Sequence, residues 1–262
     1  MENLRVTLVQ TDLHWENPTA NLHSLEEKIR DLTGSTDLVV LPEMFTTGFT
    51  MNAAAVAEPM NLTTFKWLKM MAAHTGAVVA GSYVVRENGH FFNRLLWMRP
   101  DGSHETYDKR HLFRMAHEHE TYSPGQNNIF PTIRTWRFLP LICYDLRFPV
   151  WSRQPSSDGD LYDCLIYIAN WPHARQHHWD TLLQARAIEN LSYVVGVNRT
   201  GTDGKGTVYN GGSVAVSPRG ERLFHAGNQE VVQTVELDGE QLQAYRAAFS
   251  AHLDADRFSL ER

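Results

Sequence analysis

The chain has 262 residues, 42% hydrophobic and 21% charged, which allows one large α/β domain or two small ones. Its 24 lysines and arginines against 30 acids give a formal charge of −6, so there is no electrostatic reason to expect nucleic acid or an anionic membrane as partner. Two cysteines imply no disulfide framework, and no apolar run approaches the length of a transmembrane helix. The N-terminal stretch lacks the basic region and long apolar core of a secretory signal. A reducing cytoplasm is the expected setting.

Arg5 to Leu13 reads as a first strand, rich in β-branched and apolar residues. Asn17-Pro18-Thr19 opens a helix whose apolar face is Leu22, Leu25 and Ile29. Asp37 to Leu41 is a second strand, stopped by Pro42, with Glu43 directly behind it. Thr63 to His74 is a helix ended by Gly76. Ala77 to Val85 and Phe91 to Met98 form a hairpin across Asn88-Gly89, and Ser103 to Tyr107 adds a further antiparallel strand. Lys109 to Asn128, dense in charge and histidine, reads as a long ordered loop with at most a short helical turn.

Ile133 to Phe138 reads as a strand, followed by the apolar run Leu139-Pro140-Leu141-Ile142, which stops at Cys143. Asp145, Arg147 and Pro149 come next, residue types suited to a solvent-facing strand end. Trp151 starts a helix or turn, and residues 154–160 form a polar loop. Cys164 to Ala169 is a buried strand capped by Asn170-Trp171-Pro172, and His177 to Leu191 is a helix. Tyr193 to Val197 is a strand and Gly201 to Gly206 a flexible loop. Val214 to Val216 and Glu221 to Phe224 form a hairpin, Val231 to Leu237 a last strand, and Gly239 to Phe249 a last helix. No composition break or linker divides the chain, so residues 1–262 read as one domain, with 250–262 as a polar tail. Strand–helix alternation with interposed hairpins points to a mixed α/β protein with helices outside.

Three buried strands end in polar residues: one in Glu43, one in Cys143 and one in Asn170-Trp171. If neighbouring strands run parallel, these ends meet on one edge and line one crevice. A thiol is nucleophilic only as thiolate, and its free pKa is about 8.5. Glu43 can take its proton. Lys109 can stabilise the thiolate and then the oxyanion formed at an attacked acyl carbon, with the Tyr144 backbone N–H as a second donor. Taken singly, each residue has a plainer reading: a packed thiol, a loop carboxylate, a surface lysine.

Together the motifs say more. Leu41-Pro42-Glu43-Met44-Phe45, Tyr107-Asp108-Lys109-Arg110-His111-Leu112-Phe113 and Leu141-Ile142-Cys143-Tyr144-Asp145-Leu146-Arg147-Phe148-Pro149 resemble, in order and spacing, the nitrilase or carbon–nitrogen hydrolase superfamily. The resemblance runs nearly end to end. It includes Asn170-Trp171-Pro172, the Ala185 to Asn190 helix segment and the Ser217-Pro218-Arg219-Gly220 turn. It implies a four-layer αββα sandwich, commonly paired into a homodimer, with no metal or organic cofactor. It also implies Glu43 as general base, Lys109 as oxyanion stabiliser and Cys143 as covalent nucleophile. A second glutamate on the loop after the lysine is implied at Glu118, by its spacing to Tyr122-Ser123-Pro124-Gly125, with Glu120 as the competitor.

The Cys143-Tyr144-Asp145 context looks like the ω-amidase branch, which removes the terminal amide of α-keto acid amides such as 2-oxoglutaramate and 2-oxosuccinamate. Nitrile-cleaving members usually carry Cys-Trp-Glu there. A monoamide substrate of this kind has a carboxylate that wants a cation, for which Arg147 and Arg175 are candidates. Trp171 and Phe49 would wall a small pocket beside Tyr144. Alternatives within the family are nitrilase or N-carbamoyl amine hydrolysis, and outside it a binding protein on the same fold. Thirteen histidines raise a metal site, but neither His117/His119 nor His177/His178 has helical zinc spacing. Cys164, inside an apolar run, reads as core packing.

Overall fold

The computed structural model describes residues 1–153, 162–256, 258 and 260. The polar loop expected at 154–160 and part of the expected tail lie outside the described residues. The described residues build two six-stranded sheets. The first contains β1 (Leu4–Gln10), β2 (Leu38–Val40), β3 (Val78–Glu87), β4 (His90–Met98) and β5 (His104–Asp108), with β14 (Val231–Leu237) on the far edge beside β1. The second contains β6 (Thr132–Ile133), β7 (Trp136–Ile142), β8 (Cys164–Ala169) and β9 (Tyr193–Asn198), then β12 (Val214–Val216) and β13 (Arg222–His225). In each sheet three central strands are parallel: β1, β2 and β3 in one, β7, β8 and β9 in the other. A separate hairpin, β10 (Thr200–Thr202) and β11 (Val208–Asn210), follows β9.

The period-two alternation of strand side chains separates the layers. Leu38, Val40, Val78, Ala80, Leu95 and Trp97 face the second sheet and share a core with Phe138 and Ile166. The intervening Val39, Val79, Leu96 and Met98 face outward, where α1 (Pro18–Ile29) and α3 (Thr63–Thr75) cover them with Leu22, Leu25, Leu68 and Met71. On the other side α6 (Gln176–Asn190) lays Trp179, Leu183 and Ala187 over the second sheet. The layers are therefore helix, sheet, sheet, helix: an αββα sandwich. The remaining helices are short or terminal: α2 (Ala53–Val56), α4 (Glu118–Thr121), α5 (Pro149–Ser152) and α7 (Gly239–Ala248).

Local signals explain most boundaries. Asn17 caps α1 by accepting from the Ala20 N–H, with Pro18 in the first turn. Gly76 ends α3 in the left-handed conformation, φ 69°. Asn88 and Gly89 both have positive φ, as a two-residue hairpin turn demands.

Two expected elements are corrected. The strand expected at Ile133–Phe138 is interrupted by a turn at Arg134, φ 52°, so Trp136 to Phe138 belong to the cysteine strand β7. Arg134 is held there by Glu2 and Asp37, charges distant in sequence. The loop expected to be flexible at Gly201–Gly206 lies instead within the β10–β11 hairpin. Its turn is closed by the Asp203 carboxylate, which accepts from the Lys205 and Thr207 N–H groups and the Tyr209 hydroxyl.

Candidate active site

The strand ends do meet: Cys143 and Asn170 lie on one edge of the second sheet, as parallel neighbours, and Glu43 reaches them from the first. Glu43 follows β2 of the first sheet, while Cys143 and Asn170 follow β7 and β8 of the second. Directly behind Glu43, Met44 takes a left-handed conformation, φ 45°, and its N–H donates to Ser82 Oγ at 2.9 Å. Asn170 joins the two sheets. Its N–H donates to Glu43 Oε2 at 2.8 Å and its side-chain amide to the Glu43 carbonyl at 2.6 Å. Asn93, inside β4, donates to Glu43 Oε1 at 2.8 Å.

Lys109 comes straight off the end of β5. Its Nζ donates to Glu43 Oε1 at 2.8 Å and to both oxygens of Glu118 at 3.0 Å. Glu118 opens the one-turn helix α4 and also accepts from the Phe113 N–H at 2.6 Å. All three side chains are buried. Glu120, its competitor, points out to solvent and pairs with His117. Cys143 begins a short turn after β7 in a left-handed conformation, φ 46°, which L residues adopt only under constraint. Its Sγ lies 3.9 Å from the Asn170 carbonyl.

The electrostatics follow from burying two carboxylates with one ammonium. Burial alone would lower the Lys109 ammonium, but Glu118 and Glu43 outweigh it and hold it well above its ordinary value. Burial raises Glu118, with Lys109 opposing and Glu43 adding to the rise. Burial also pushes the Cys143 thiol well up, and Glu43 pushes it further, against Lys109. The thiol therefore rests protonated. Moving its proton onto Glu43 leaves the total charge of the cluster unchanged, whereas losing it to bulk water adds a second uncompensated negative charge.

Cys143 and Lys109 open into a cavity of about 330 Å³. The other residues expected to bind substrate also line it. Phe49 lies against the Lys109 ammonium, 5.1 Å from ring centre to Nζ. Tyr144 packs edge-on against Phe113 and Phe148. Trp171 carries the Arg147 guanidinium over its ring at 5.0 Å, and Arg147 also bonds to His178 Nδ1 at 2.8 Å. Arg175 lies over Phe113 at 5.3 Å. Three parts of the wall went unread in the sequence: Met51 and Met115, the β10–β11 turn with Asp203 and Lys205, and Tyr209. Asn93 was also missed, although a polar residue inside an apolar strand is a readable signal.

Asp145 requires a correction. Expected at a solvent-facing strand end, it is fully buried. Cys164 is also fully buried, in the core between the sheets. Among the described residues, no group of three or more His, Cys, Asp or Glu side chains is placed to hold a metal ion, and no helix is long and apolar enough to cross a membrane.

A carbon–nitrogen hydrolase family model matches residues 5–247, and the chain belongs to that family. It is 44% identical over 261 residues to the ω-amidase YafV of Escherichia coli K12, covering 99% of this chain and 100% of that one. It is 33% identical to the 2-oxoglutaramate amidase of Bacillus subtilis, covering 89% and 90% of the two chains. The crystal structure of a CN-hydrolase superfamily protein from Xanthomonas campestris, which carries an arsenic adduct in its active site, matches over the full length of both chains with a TM-score of 0.97 at 42% identity.

Proposed function

We propose that this chain is a cysteine-dependent ω-amidase that hydrolyses the terminal amide of small α-keto acid monoamides, 2-oxoglutaramate and 2-oxosuccinamate, to the dicarboxylic keto acid and ammonia. The observation that carries the reading is the buried Glu43–Lys109–Glu118 cluster beside a strained thiol that opens into a small cavity with cationic groups in its wall. Similarity to the ω-amidase and 2-oxoglutaramate amidase relatives supports the substrate class.

The chemistry runs in two halves. Glu43 takes the Cys143 proton as Sγ attacks the amide carbon. The tetrahedral oxyanion is stabilised by Lys109 and the Tyr144 N–H. Glu43 returns the proton to the departing nitrogen, the C–N bond breaks, and ammonia leaves behind a thioester on Cys143. Water then attacks the thioester as Glu43 takes its proton; the C–S bond breaks, Glu43 gives that proton to Sγ, and the acid leaves. An ammonium has three N–H donors, and in the resting structure they point at Glu43 and Glu118. Protonating Glu43 weakens its hold on the lysine just as the oxyanion needs a donor. Glu118 keeps the lysine charged and in place throughout.

Arg147 and Arg175 would hold the substrate's far carboxylate, with Trp171, Phe49 and Tyr144 walling its short chain. Residues 1–262 would act as one hydrolase domain, in a homodimer, in the cytoplasm, with no cofactor. The test is ammonia release across a panel of small ω-amides, nitriles and N-carbamoyl amino acids. The keto amides should be the best substrates. Faster release from nitriles would overturn the substrate assignment and leave the Glu43–Lys109–Cys143 chemistry standing.

A further inference from the structure

We propose that Asp145 is a positioning residue that locks the backbone carrying Lys109 to the backbone carrying Cys143. This inference rests on the catalytic roles proposed above for those two residues. The Asp145 carboxylate is fully buried, yet it touches neither the lysine ammonium nor the thiol in any hydrogen bond of the structure. Its four bonds go to the residues around them. Oδ2 accepts from the Tyr107 hydroxyl at 2.7 Å and from the Ile142 N–H at 3.0 Å. Oδ1 accepts from the His111 N–H at 3.0 Å and from His111 Nδ1 at 2.8 Å.

The placement of these donors is the point. Tyr107 and His111 stand two residues before and two residues after Lys109. Ile142 immediately precedes Cys143. One carboxylate therefore spans the two sheets and fixes both reactive residues by their flanking backbone. Its donors are themselves anchored. The Tyr107 hydroxyl accepts from Trp151 Nε1 at 3.0 Å and from the Arg110 N–H at 3.3 Å. The His111 ring stacks on Phe148 with centroids 3.8 Å apart. The Asp145 carbonyl accepts from the Phe148 N–H and so closes the turn on its far side.

A buried carboxylate that does not line the cavity is costly unless its bonds are needed. Here they hold a left-handed cysteine that would otherwise relax, φ 46°. Relaxation would move the thiol relative to the lysine, and displacements of about 1 Å cost on the order of 10²-fold in rate.

The test uses Asp145→Asn and, as a milder probe that keeps the carboxylate, Tyr107→Phe. Two readouts are taken per folded molecule: kcat and KM on 2-oxoglutaramate, and the second-order rate of Cys143 alkylation by iodoacetamide, followed by peptide mass. Positioning predicts a kcat about 10–100-fold lower for Asp145→Asn with KM little changed. It predicts slower alkylation, and a smaller loss in the same sense for Tyr107→Phe. Wild-type kcat and alkylation in folded Asp145→Asn, with only a lower melting temperature, would overturn the proposal. Should Asp145→Asn fail to fold, Tyr107→Phe decides on the same criteria. Lys109→Met serves as the reference. If it too leaves alkylation and turnover unchanged, the assignment of the site has failed rather than the role of Asp145.

Discussion

Buried charge lies beside both ends of the second sheet's parallel strands, and the two ends behave in opposite ways. At the end where β8 begins, Asp163 pairs with Arg246 at 2.8 Å, one acid for one base. Further hydrogen bonds tie both partners into the surrounding backbone. Arg246 also donates to the Leu191 and Tyr162 carbonyls and to Ser192, and Asp163 accepts from the Arg137 N–H. Burial dominates this pair, raising Asp163 and lowering Arg246 despite their mutual attraction. At the end where β7 stops, one base meets two acids, and the acids win over burial at Lys109. The two cysteines divide the same way. Cys164 is sealed in the core, while Cys143 is 9% exposed, strained, and faces a cavity. A matched, closed pair is a staple. A mismatched cluster beside a strained thiol and open space has somewhere to send a proton.

The sharpest way to break this comparison is to exchange the thiols for methyl groups. Cys143→Ala should reduce ammonia release to the blank while the circular dichroism spectrum stays native. Cys164→Ala should keep most of the activity and lose only a little stability. Comparable losses from both would erase the distinction between the two sheet ends.

Next in size are the charged partners. Lys109→Met, which removes a proposed oxyanion donor, should lower kcat by about 10²–10³-fold in folded protein. Glu43→Gln should lower it at least as far, since the amide cannot carry the proton in either half-reaction. Near-wild-type rates in either variant would remove that residue from the chemistry. Glu118→Gln should follow with a large loss, because Lys109 keeps a partner there that is no longer charged. Glu120→Gln should change kcat by less than about twofold, as expected for a solvent-exposed surface pair. If Glu120→Gln proved the damaging member, the loop would be doing something its geometry does not suggest.

How much of this could be read from the chain depends on the range of each signal. Apolar runs and turn residues act locally, so the strands ending in Glu43, Cys143 and Asn170 stood out. Which sheet each strand joins is decided by packing far along the chain. Periodicity carries no trace of it, and the meeting of these ends across two sheets was not legible. The turn at Arg134 has no glycine, proline or asparagine to announce it, because its left-handed conformation is held by Glu2 and Asp37. Asp145 misled for a similar reason. An aspartate after a strand normally faces water, and only the fold supplies the four donors that let it be buried. The β10–β11 wall of the cavity was hidden by its glycines, which read as a loop until Asp203 closes the turn.

The smallest expected effect falls at the closed end. Arg246→Met should leave kcat per folded molecule unchanged. It should cost about 3 kcal/mol in urea unfolding, since it strands a buried carboxylate. A fall in kcat without a fall in stability would mean that the two ends are coupled.

The measurement that tests the central claim most directly is acyl transfer to hydroxylamine during turnover of 2-oxoglutaramate. A thioester on Cys143 can be attacked by hydroxylamine in place of water, which releases the thiol and gives the hydroxamate of the keto acid. The covalent route predicts hydroxamate formed by the wild-type enzyme in competition with acid, and none by Cys143→Ala. Hydroxamate produced by Cys143→Ala at the wild-type rate would contradict it.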